Sequence, residues 1–154
     1  MIVYLSDFIR TGVFGKIRLG LRKDEIEALG LTPDMWLNKM NKETSPIWRY
    51  GNLELHFDDR KHLSGIFNDY IHDIQGGNRI TIVNHWKKVP TLSDILEELN
   101  RIEKDYTKQT NEYGTITLEL LNRVYFMFES EQENTVETKK EDPNLYSLVA
   151  FGTK

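Results

Sequence analysis

The run "HFDDRKH" places His56, Asp58, Asp59 and His62 within a few residues of one another. All four are acceptable ligands for zinc or another divalent ion. On an extended chain His56 and Asp58 point the same way, because side chains alternate with a period of two. His62 could then approach them across a turn, with Glu54 two residues before His56. This constellation gives one reading, a small metal- or carboxylate-dependent hydrolase using His56, Asp58 and His62. Glu54 and Glu119 offer a second carboxylate pair, of the kind that cleaves glycosidic bonds. Against the metal, Arg60 and Lys61 fall inside the proposed cage and would repel a cation. Aspartate is in any case a preferred turn residue, because its side chain bonds nearby backbone N–H groups.

Other catalytic arrangements are missing from the sequence. There is no cysteine, which rules out disulfides, thiolate nucleophiles and Cys-ligated zinc. There is no G-x-S-x-G, and "FGKIRLG" has paired glycines without the G-K-[ST] of a phosphate-binding loop. His72 and His85 stand alone and read as structural histidines. The expectation is a protein that is not an enzyme and holds neither metal nor cofactor.

The elements that must position these residues are mostly strands. "PIWRYGNLELHF" reads as two strands joined by a tight Gly51-Asn52 turn. Tyr50 then faces Leu53, so Trp48, Tyr50, Leu53, Leu55 and Phe57 share a core face. Arg49, Glu54, His56 and Asp58 take the opposite face. "HLSGIFNDYI", "RITIVNHW", "YGTITLEL", "LNRVYFMFE" and "LYSLVAFG" supply further strands. "RKDEIEALG" predicts a short helix stopped by Gly30, fed by a short strand or loop at "FGKIRLGL". "TLSDILEELNRIEKDY" predicts a second, with Leu92, Ile95, Leu96, Leu99 and Ile102 at helical spacing and Thr91 or Ser93 as cap. Residues 31–45 are turn-rich, with Met35, Trp36 and Met40 packing over the core or lining a lid. Glu129 to Asp142 is acidic-leaning and ends at Pro143, the pattern of a long exposed loop.

Parts of this pattern return. Asp24, Ile26 and Leu29 align with Asp94, Leu96 and Leu99, and Tyr50-Gly51-x-Leu53-x-Leu55 aligns with Tyr113-Gly114-x-Ile116-x-Leu118. The expected architecture is therefore α+β: two helix-plus-three-strand repeats, about 1–78 and 79–154, forming one antiparallel sheet with the helices packed on one face. The length of 154 residues suits a single domain.

The net charge of −4, spread over both halves, lacks the basic face of a nucleic-acid binder. No apolar run is long enough for a membrane-spanning helix, and "MIVYLSDFIRTG" lacks the basic lead of a secretory signal. A cytoplasmic protein is expected, with no nucleic-acid or membrane partner.

Gly15, Ile17, Leu19, Gly20, Glu25, Leu29, Gly30, Ile47, Trp48, Tyr50, Gly51, Leu53, Glu54, Leu55, His56 and Phe57 carry a longer pattern, G-x-I-x-L-G … E-x-x-x-L-G … I-W-x-Y-G-x-L-E-L-H-F. This first half resembles a group of small bacterial proteins. The layout is more loosely similar to the tandem repeats of β-lactamase-inhibitor-like and outer-membrane-assembly lipoprotein folds, which are protein-binding modules. The resemblance implies an immunity protein, which binds and neutralises a cognate bacterial toxin by occlusion, with an acidic surface that could dock a basic partner. The partner-binding residues would be Arg49, Glu54, His56 and Asp58 on the polar strand face, with Glu129, Glu131, Glu133 and Glu137 in the acidic loop.

Overall fold

Period-two alternation shapes the centre of the molecule. In the computed structural model, which describes residues 1–37, 40–130 and 142–154, β3 (Ile47–Tyr50) and β4 (Leu53–Phe57) pair antiparallel. Tyr50 lies opposite Leu53, so Gly51 and Asn52 alone make the turn. Gly51 takes φ 61°, which glycine adopts without a side-chain clash. Trp48, Tyr50, Leu53, Leu55 and Phe57 are all buried. Burying one such side chain contributes about 1.5–3 kcal/mol, so this face fixes the register.

The hairpin belongs to an eight-stranded antiparallel sheet, completed by β2 (Met35–Trp36), β5 (Leu63–Asn68), β7 (Tyr106–Thr110), β8 (Ile116–Leu120), β9 (Val124–Ser130) and β10 (Tyr146–Thr153). The order is β2-β3-β4-β5-β10-β9-β8-β7. Two four-stranded meanders thus meet where β10, the last strand, pairs with β5. A separate parallel pair joins β1 (Ile2–Tyr4) to β6 (Thr81–Val83). The strand expected at "RITIVNHW" therefore exists but stays out of the main sheet.

Three short helices, α1 (Leu5–Thr11), α2 (Lys23–Ala28) and α3 (Leu92–Arg101), complete the described elements with a 3-10 turn at Pro143–Leu145. Leu5, Phe8 and Ile9 give α1 its apolar stripe, and Gly12 ends it at φ 75°. Asn122, in the β8–β9 turn, donates to the Ile9 carbonyl at 3.0 Å and so ties α1 to the sheet. α3 buries Leu92, Ile95 and Leu99 and is closed by a reciprocal cap. The Asp94 N–H donates to Thr91 Oγ1 at 3.2 Å, and the Thr91 N–H donates to the Asp94 carboxylate at 2.8 Å. The buried apolar residues of all three helices join the core built on the Trp48 face. Phe8 of α1 lies 6.3 Å from Phe151 of β10.

The architecture corrects the expected fold class. The described chain is mostly β, with ten strands and three short helices, and it is not a pair of helix-plus-three-strand repeats. The aligned positions do not play equivalent parts. Ile26 is fully buried where Leu96 is half-buried, and Leu29 is 40% exposed where Leu99 is buried. Tyr50 is a core strand residue, whereas Tyr113 sits in the β7–β8 loop, 75% exposed. α2 is only one and a half turns long, because Gly30 at φ 79° stops it. "FGKIRLGL" forms an isolated Phe14–Ile17 bridge and no strand of its own. Met35, Trp36 and Met40 do not cover the core but stand exposed at the β2 edge.

Candidate functional site on the open face of the sheet

Antiparallel register places directly paired residues on the same face. One row can therefore be followed across the whole sheet, from Met35 through Arg49, Glu54, Phe67, Gly152, Tyr125 and Glu119 to Thr107. This row lies on the face opposite the core, and its side chains are exposed or half-buried. No described helix sends a buried residue to it.

The middle of the row is apolar and low. Gly152 has no side chain to fill the space between Phe67 and Tyr125, and none would fit. A Cβ there would lie 2.0 Å from the Ile66 carbonyl oxygen and 3.1 Å from the Tyr125 hydroxyl. Gly65, opposite His56 on β4, extends the depression. Together with Phe67, Tyr125, His56 and Lys154, Gly65 lines a shallow trough of about 220 Å³. The rings of His56 and Phe67 meet edge-on at 6.2 Å. Burial pushes the Tyr125 phenol up to about 12, so the hydroxyl is a neutral donor and acceptor at physiological pH.

Charged pairs flank the trough. Glu54, only 15% exposed in its side chain, is gripped by Arg49 on one side and accepts a 2.8 Å contact from His56 Nε2 on the other. Across the sheet, Lys154 Nζ lies 3.4 Å from Glu119 and 5.5 Å from the centroid of the Tyr125 ring. An apolar, aromatic centre inside a polar, paired rim is the usual anatomy of a protein-recognition surface.

Of the residues expected to bind a partner, the structure brings Arg49, Glu54 and His56 together on this face. Asp58 is not among them. A register shift between His56 and Phe57 breaks the alternation, and Asp58 instead organises the β4–β5 turn. Its Oδ1 accepts from the Arg60 N–H at 2.9 Å and the His62 N–H at 2.8 Å. Glu129 is exposed near the end of β9 and so belongs to a strand, not to a loop beginning there. Glu131, Glu133 and Glu137 lie outside the described residues.

The hydrolase constellation is divided in the same way. His56 is on the open face with Glu54, while His62 turns into a different cleft, on the α2 side, 3.7 Å from Asp58. Among the described residues no group of three His, Asp or Glu side chains is placed to hold a metal ion. Glu54 and Glu119 sit on β4 and β8, separated by the strands β5, β10 and β9. No protein-family model, curated protein or solved structure matches the chain.

Sequence reasoning missed the centre of the face: Phe67, Tyr125, Met127 and Gly152. A signal was present in "RVYFMF", where the residues between Val124, Phe126 and Phe128 are also large and apolar or aromatic. A strand with one wet face should alternate more cleanly. It also missed Lys23, which is buried at 7% exposure and donates to the carbonyls of Lys42, Glu43 and Ser45 at 3.3, 2.9 and 2.6 Å.

Proposed function

We propose that the protein is a binding module that neutralises a bacterial toxin by direct occlusion, as an immunity protein does. One observation carries the binding part of this reading: the row across the open sheet face, with Phe67, Gly152 and Tyr125 at its centre and the Arg49–Glu54 and Lys154–Glu119 pairs beside them. Half-buried aromatics on an uncovered sheet supply contact area at little side-chain entropy. Paired rim charges contribute register and partner choice more than raw affinity. The toxin as partner is supported by analogy alone: residues 15–57 resemble a group of small bacterial proteins, and a small acidic binding module looks most like an immunity protein, with action in the cytoplasm part of the same reading.

The proposed action is by contact, with the toxin's own active site or substrate channel covered. The hydrolase reading has less support, because its three residues face two different surfaces. Co-expression with any toxin domain encoded by a neighbouring gene tests the proposal. The protein is expected to restore growth and to co-purify in a stoichiometric complex. Unchanged toxicity in its presence would sink the idea.

A further inference from the structure

A second concavity lies away from the open face, between α2, the Lys42–Ser45 segment and the β4–β5 turn, and it encloses about 300 Å³. Its floor is Lys23. The ammonium rests against neutral dipoles and ring faces, 5.2 Å from the centroid of the Trp48 ring and 4.9 Å from that of Phe57. Among the described residues Lys23 forms no ion pair. Arg60 and Lys61 line the cleft and likewise form none. Three carboxylates also line it, beside two cations: Asp24 lies 3.0 Å from Arg22, and Glu27 and Glu43 share Lys42 at 2.5 and 3.7 Å. Among the described residues the cleft therefore gathers three cationic groups, Lys23, Arg60 and Lys61, that form no ion pair. Burial holds the Lys23 pKa below its ordinary value and the nearby Lys61 charge lowers it further, with the Glu43 carboxylate offsetting part of the shift.

Lys61 is also unusual in its backbone. It takes φ 64°, in a turn position closed by the Lys61 N–H to Asp58 carbonyl bond at 2.9 Å. Glycine or asparagine occupies such a position at lower cost. A long cation stands there instead, at the rim of a cleft that already holds a buried ammonium.

We infer that this cleft binds a phosphate-class dianion, held by Arg60 and Lys61 over the buried charge of Lys23. The guanidinium of Arg60 offers a fork of donors that matches two oxyanion oxygens, and Lys61 adds a point charge. Lys23 supplies field only, since its N–H groups serve the loop carbonyls. Two rim cations without carboxylates match a doubly charged group, whereas a carboxylate would leave one of them unmatched. This site is separate from the open sheet face and does not rest on the toxin reading.

The experiment is an amide-resolved NMR titration of the ¹⁵N-labelled protein with sodium phosphate, at ionic strength held constant with sodium chloride, and with sodium acetate in parallel. Phosphate is expected to shift the amides of Arg60, Lys61 and His62 and the Trp48 indole saturably, and acetate to bind at least about tenfold more weakly. Lys61→Gly separates binding from folding. It removes the cation and the left-handed strain together, so it should melt at a higher temperature yet bind phosphate at least about fivefold more weakly. Arg60→Gln should weaken phosphate binding similarly. No saturable shift at the cleft, equal binding of phosphate and acetate, or wild-type phosphate affinity in both variants would overturn the assignment.

Discussion

Lys23 is a cation in the first turn of a helix, where the macrodipole favours anions. Its placement is explained by what it holds. Three carbonyls of the Lys42–Ser45 segment converge on its ammonium, and the Lys42 carbonyl also accepts from the Trp48 indole N–H at 2.8 Å. Removing the charge leaves those carbonyls short of donors. Lys23→Met keeps the aliphatic packing and is expected to lower the unfolding free energy by about 3 kcal/mol, read as a shift of the urea midpoint. Tyr125 gives a second residue-scale test. Its pKa is raised from 10.0 to about 12 by burial, so the folded state favours the neutral phenol. The stability this contributes is fully present below pH 10 and is lost as pH climbs towards 12. Tyr125→Phe should flatten that alkaline decline in a thermal-melt series, and a phenolate absorbance step near pH 12 should vanish with it.

At the scale of elements, α3 shows how local chemistry sets a boundary. Thr91 and Asp94 cap each other's backbone N–H groups, and these bonds, with the backbone bond to Thr91 foremost, hold the Asp94 carboxyl below its ordinary 3.8. A depressed carboxyl stabilises above its unfolded pKa and stops doing so as pH falls through the folded one. Asp94→Ala should therefore cost about 1 kcal/mol at neutral pH, with the difference from wild type shrinking below about pH 4, as chemical denaturation at each pH would report. The cap, the helix over 92–101, and the β3–β4 hairpin with its buried Trp48–Phe57 face were all legible in the sequence, because each rests on short-range signals. The pairing of β10 with β5, more than 75 residues apart in sequence, left no such signal. Neither did β7, whose residues Tyr106–Thr110 are all exposed and carry no alternation. The apparent repeat misled for a related reason. Similar strings of Leu and Ile mark a buried stripe, but the tertiary partner decides which members of the string are buried, as Leu29 and Leu99 show.

At the scale of the whole molecule, the sheet has one face closed by α1, α2 and α3 and one face that no described helix covers. The site was half legible: alternation put Arg49, Glu54 and His56 together, but the trough between Phe67 and Tyr125 exists only once β5 meets β10 and β10 meets β9. No described helix is long and apolar enough to cross a membrane. The central claim is that this face is where the partner docks. Its most direct measurement is the dissociation constant for the cognate toxin domain that the proposal requires, for wild type and for a Phe67→Ala, Tyr125→Ala double variant of verified thermal stability. A hot-spot aromatic costs about 2 kcal/mol when truncated, so the two together predict a loss on the order of 1,000-fold, about 4 kcal/mol. Wild-type affinity in the double variant would contradict the account.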